Sequence, residues 1–142
     1  MSYDRADWHY GGDFPAGLPR ENGGTHIGIF LAWAILQGLE GAEQRKNFPE
    51  ALAAVRAREM TGREFLFKNC DGKLWEADLN EEGNAFAKSY YKKSAGQRHD
   101  YLTDYSDEFW SGPSIYHVAD TWENYERMAG VLTRRFEAWR KR

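Results

Sequence analysis

The residue types able to do polar chemistry gather in three stretches. His9 and Asp13 lie in Asp7-Trp8-His9-Tyr10-Gly11-Gly12-Asp13-Phe14-Pro15, and His26 lies in Thr25-His26-Ile27-Gly28-Ile29-Phe30-Leu31-Ala32-Trp33. His117 and Asp120 lie in Tyr116-His117-Val118-Ala119-Asp120-Thr121-Trp122-Glu123-Asn124-Tyr125. Neutral imidazoles beside a carboxylate can hold zinc or exchange protons near neutral pH. Trp8, His9, Asp13, His26, His117 and Asp120 are therefore candidates to line one pocket. None forms a close-spaced ligand pair such as His-x-x-x-His, and the competing role for each histidine is to tie an irregular segment to the core by hydrogen bonds. The spacing favours that structural role, so the expectation is no metal, no cofactor and no assigned catalytic residue.

A second constellation is acidic and aromatic. Residues 99–120 hold Asp100, Asp104, Asp107, Glu108 and Asp120 with no Lys or Arg. On a helix, Asp100, Asp104 and Glu108 stand one turn apart and repel. Tyr101, Tyr105, Phe109 and Trp110 are interleaved with them. Uncompensated acids beside aromatics suit a surface that docks a basic protein, and Asp100, Tyr101, Asp104, Tyr105, Asp107, Glu108 and Trp110 are its candidate residues. The alternative is a solvated acidic face whose aromatic side is core. The basic run at the other end, Arg134, Arg135, Arg140, Lys141 and Arg142 against Glu137, reads as solvated charge suited to a helix C-terminus.

Other motifs are weaker. Asp78-Leu79-Asn80-Glu81-Glu82-Gly83-Asn84 imitates a calcium loop, but its twelfth position is Ser89 where a bidentate glutamate is needed. Asn80 capping an acid-rich helix start explains the same letters. Cys70, the single cysteine, reads as a small core residue unless its thiol pKa is lowered. No nucleophile elbow, P-loop or dinucleotide fingerprint is present. The net charge of −3 argues against general nucleic-acid binding. The longest apolar run, residues 27–36, is about half a membrane span, and no apolar segment follows Asp4, Arg5 and Asp7. A soluble, cytoplasmic protein is expected.

The elements that position these residues follow from periodicity and capping. At 142 residues with 42% hydrophobic and 15% aromatic residues, the chain suits one domain over 1–142 with a sizeable core. Residues 1–24 mix turn formers with Trp8, Tyr10 and Phe14, which predicts an ordered irregular arm laid across the core. Residues 25–38 are apolar on every face, the mark of a buried central helix capped by Thr25. Further helices are predicted from Asn47 and Pro49 to about Arg58, from the capping box Thr61-Gly62-Arg63-Glu64, and from Asn80 to a stop at Gly96. A weaker one covers about residues 100–109. Residues 114–118 alternate briefly and read as extended. The last helix, capped by Asp120 with Glu123, carries Trp122, Tyr125, Ala129, Leu132, Phe136 and Trp139 as a continuous stripe. The fold class is all-α, with about five or six helices and little or no sheet.

Taken together, the three strings resemble a family of small bacterial proteins of unknown function of about this length. Proteins of this kind often sit beside secreted toxins as immunity partners. The resemblance and the acidic segment together imply a protein-binding domain that occludes another protein, such as a basic toxin domain. The alternatives are a small metal-dependent or His/Asp-based enzyme and a small-ligand-binding domain.

Overall fold

In the computed structural model, which describes residues 2–92 and 99–142, everything is laid around one helix, α1 (Thr25–Leu36). That helix has no polar face to offer water, and every residue from Thr25 to Ile35 is buried. Six further α-helices surround it among the described residues: α2 (Ala42–Asn47), α3 (Pro49–Arg56), α4 (Gly62–Asn69), α5 (Glu81–Tyr90), α6 (Tyr101–Glu108) and α7 (Trp122–Lys141). The expected five or six become seven because a short helix not predicted from the sequence, α2, precedes the one expected from Asn47 and Pro49. Proline disfavours a helical Phe48, which sits at φ −134°, ψ 46°, and then starts α3 at the position where its missing N–H is harmless.

The closest approach is between α1 and α4. A Cβ on Gly28 would lie 2.3 Å from the Arg63 amide nitrogen, so the two backbones meet with no room for a side chain. α7 lays Tyr125, Met128, Leu132 and Phe136 against the core. Trp33 of α1, fully buried, packs on Phe86 of α5 and Phe136 of α7 and donates its indole N–H to Thr133 Oγ1 at 3.2 Å.

Two predicted caps are present. Thr61 and Glu64 form both halves of a capping box, and Asn80 Oδ1 accepts the Gly83 N–H at 2.8 Å. With Asn80 so occupied, Asp78 accepting from the Trp75 N–H and Phe86 in the core, this segment is a helix start. Three local expectations are corrected. α1 has no side-chain cap; the Thr25 hydroxyl accepts from Arg63 instead. Thr121, not Asp120, caps α7 by accepting the Asn124 N–H, because the helix starts one residue later than expected. Residues 114–118 are not extended: Ile115–His117 is a 3-10 turn held by the Ser114 hydroxyl. The predicted stop at Gly96 lies outside the described residues.

The N-terminal arm is ordered but not wholly irregular. Its first residues form β1 (Ser2–Arg5), antiparallel to β2 (Lys73–Trp75), with Asp4 opposite Leu74 and an irregularity between Ser2 and Asp4. A 3-10 turn, Ala6–His9, follows directly, and another, Arg20–Gly24, leads into α1. Among the described residues, no helix is long and apolar enough to cross a membrane.

Candidate functional site

The strand pairing buries Asp4, only 3% exposed, and this is the centre of the site. The turn after β1 brings His9 back to it, with Nε2 2.8 Å from Asp4 Oδ1. The first turn of α1 supplies His26, with Nε2 3.0 Å from Asp4 Oδ2. Tyr91, just beyond α5, donates its hydroxyl to Asp4 Oδ2 at 2.8 Å, and the Arg5 N–H donates to Oδ1 at 2.8 Å. Four donors thus serve the two oxygens of one buried carboxylate. Tyr116 closes the outer side, its hydroxyl 2.7 Å from His9 Nδ1, and Phe14 packs on its ring. Tyr101 donates to the His26 carbonyl at 2.6 Å, which fixes the start of α1.

A carboxylate can only accept, so each imidazole carries its proton on Nε2 facing Asp4. The other ring nitrogen of His9, Nδ1, is hydrogen-bonded to the Tyr116 hydroxyl. Burial opposes ionisation of Asp4, but the hydrogen bonds from His26 and His9 outweigh it and hold the carboxyl well below the usual range. For fully enclosed His26, burial wins over the pull of Asp4, so its pKa falls and the ring is neutral.

One ligand atom each from Asp4, His9 and His26 lies within 4.8 Å of the other two. A tetrahedral ion with bonds of about 2.0–2.1 Å holds its ligand atoms about 3.3 Å apart. Here one carboxylate oxygen lies 2.8 Å from His9 Nε2 and the other 3.0 Å from His26 Nε2, so an ion would replace these two hydrogen bonds and the Nε2 protons that make them. Binding an ion through Nε2 would move the His9 proton to Nδ1, where the Tyr116 hydroxyl can accept it, while Tyr91 and Arg5 stay on the carboxylate.

Of the predicted pocket residues, the structure unites only His9 and His26. His117 is exposed and bonded to the Ser114 hydroxyl at 2.8 Å. Asp120 accepts from Thr61 at 2.7 Å and pairs with Arg63. Asp13 is exposed, and Trp8 is 53% exposed with Lys92 4.7 Å from its ring centre. The residue missed from sequence is Asp4. The pairing of β1 with β2 that buries it spans about 70 residues and has no local signature.

The acidic segment is also rearranged. Tyr101 and Tyr105 are fully buried, because α6 turns its aromatic side to the core, and cannot anchor a partner. Asp104 is 7% exposed and held by Arg135 at 2.9 and 3.1 Å and by Tyr90 at 2.5 Å. Glu108 pairs with Arg127 at 3.1 Å, and Asp100 caps α6 by accepting the Thr103 N–H. The compensation absent from the local sequence comes from α7, and Arg135 is therefore a core-facing partner rather than solvated charge. Asp107 and Trp110 are exposed, Trp110 at 80%.

Comparison with curated proteins finds no match, and neither does comparison with solved structures. A family model matches residues 2–118, which include every side chain around Asp4, and the chain belongs to that family, described as a domain of unknown function, DUF7832.

Proposed function

We propose that the protein is a metal-binding domain holding one divalent transition-metal ion of the zinc class on Asp4, His9 and His26. The observation that carries this reading is the convergence of two imidazoles and one ionised carboxylate from three elements, with hydrogen-bonding groups around them that can serve as outer partners. The buried, ionised Asp4 carboxylate favours a cation. Three protein ligands leave a coordination position for water, the arrangement of zinc sites that do chemistry rather than closed structural ones. The test is metal analysis of protein purified without chelator, together with zinc titration of the stripped protein. One ion per chain is expected, with stripping lowering the melting temperature and Asp4→Asn and His9→Ala abolishing binding. A metal-free protein that neither binds zinc stoichiometrically nor gains stability from it would refute the reading.

A second reading, docking of a basic partner as an immunity protein docks on its toxin, is favoured by the exposed Trp110 beside exposed Asp107. It uses this smaller surface and not the buried tyrosines. Capture of the same host proteins by wild type and by an Asp107→Lys/Trp110→Ala variant would remove it.

A further inference from the structure

A cleft of about 700 Å³ opens between the N-terminal arm, α4 and the residue that precedes the α7 cap. Its apolar wall is two half-buried rings, Tyr10 from the arm and Phe67 from α4. They are seated on consecutive glycines: a Cβ on Gly23 would come within 2.9 Å of the Tyr10 ring, and one on Gly24 within 2.6 Å of the Phe67 ring. The polar wall is an ion pair, with Arg63 Nε 3.3 Å from Asp120 Oδ2. Arg63 Nη1 donates to Thr25 Oγ1 at 3.2 Å and to Asn22 Oδ1 at 3.5 Å, which fixes the guanidinium plane. Thr61 donates to the same Asp120 oxygen. Among the described residues nothing bonds to the remaining atoms of the pair, Arg63 Nη2 and Asp120 Oδ1, and neither is sealed from solvent. The two side chains keep 20% and 12% of their surface exposed. Nη2 and Oδ1 each share a carbon with an atom of the 3.3 Å contact, so they lie no more than about 8 Å apart. An accessible charged donor and an accessible charged acceptor therefore line one cleft.

We propose that this cleft binds a free α-amino acid with an apolar side chain, its carboxylate on Arg63 and its ammonium on Asp120. An α-amino acid carries its two charges on adjacent carbons, which suits the short span from Nη2 to Oδ1. Each of these atoms can add a charge-assisted hydrogen bond without breaking the existing pair. Tyr10 and Phe67 take the side chain. The lining holds three cations, Arg20, Arg63 and Lys68, and three acids, Glu21, Glu64 and Asp120, so it favours a ligand of no net charge whose charges are separated. Burial, with Glu64 and Glu21 nearby, pushes the Asp120 carboxyl pKa up although Thr61 and Arg63 pull it down, and a further cation beside it is favoured. The volume lies within the usual range for small-molecule sites. None of Asp4, His9 and His26 lines the cleft, so the inference stands apart from the metal reading.

The experiment is titration of the full chain with L-phenylalanine and L-leucine, followed by NMR through the Arg63 Nε–H and the Gly23 and Gly24 amide signals. Analogues that keep the side chain and lack one charge are the matched controls: hydrocinnamate and phenethylamine for the first, isocaproate and isoamylamine for the second. Saturable shifts with at least one amino acid are expected. Both of its single-charge analogues should bind at least about tenfold more weakly, because each loses a charge-assisted hydrogen bond. Arg63→Gln and Asp120→Asn should each weaken binding by about tenfold or more for the same reason. The proposal is overturned if neither amino acid saturates up to about 10 mM. It is equally overturned if a single-charge analogue binds as tightly as its parent, or if both folded variants bind like wild type. Should a variant fail to fold, the analogues on wild-type protein decide.

Discussion

Replacing Asp4 by Asn keeps the shape of the side chain and removes its charge, which isolates what the buried carboxylate does. In wild type, Oδ1 accepts from Arg5 N–H and His9, and Oδ2 from His26 and Tyr91. An amide has one oxygen for one of these pairs and turns an NH₂ donor towards the other. Hydrogen bonds to a charged acceptor contribute about 1.5–3 kcal/mol each, so losing two removes about 3–6 kcal/mol. Part of that is offset, because a charge no longer has to be buried, and because Tyr91 can accept and His26 can change tautomer. The expected net loss is about 2–4 kcal/mol, which a domain with typical stability of about 5–15 kcal/mol survives. The assay is urea unfolding of both proteins at pH 7 in the presence of chelator, so that no metal contributes. A loss below about 1 kcal/mol, the size of an ordinary substitution, would show that Asp4 does not hold the arm to α1.

Two further outcomes follow from the same geometry. The folded-state pKa of His26 lies below its unfolded value of about 6.5, so the folded chain binds fewer protons and loses stability as pH falls below about 6.5. Asp4, with its pKa also lowered, adds a loss of the same sign below about pH 4. Urea midpoints of the metal-free protein between pH 7 and 5.5 should fall, and the fall should be smaller in His26→Gln; equal slopes would refute the assignment. Asp104→Lys should destabilise by about 3–5 kcal/mol rather than relieve repulsion, since it leaves Arg135 facing a like charge in a half-buried site. A melting temperature unchanged from wild type would show that the Asp104–Arg135 pair carries no weight.

What the sequence by itself determined is whatever is decided within a turn or two of helix. The lack of any polar residue between Ile27 and Leu36 forces α1 into the centre, Thr61 with Glu64 and Asn80 with Gly83 mark helix starts, and the three- and four-residue steps from Trp122 to Trp139 orient α7. These interactions join residues at most four apart, so composition and spacing reveal them. The three strings also marked His9 and His26, though not which carboxylate they share. Only the tertiary structure decided the rest. The Asp4 hub requires β1 to pair with a strand about 70 residues away, and the charge balance of α6 requires Arg127 and Arg135 from α7. The Gly28–Arg63 approach exists only because two helices cross there. Each of these contacts is chosen by the packing of the whole core, which brings together groups that have no spacing in sequence to betray them.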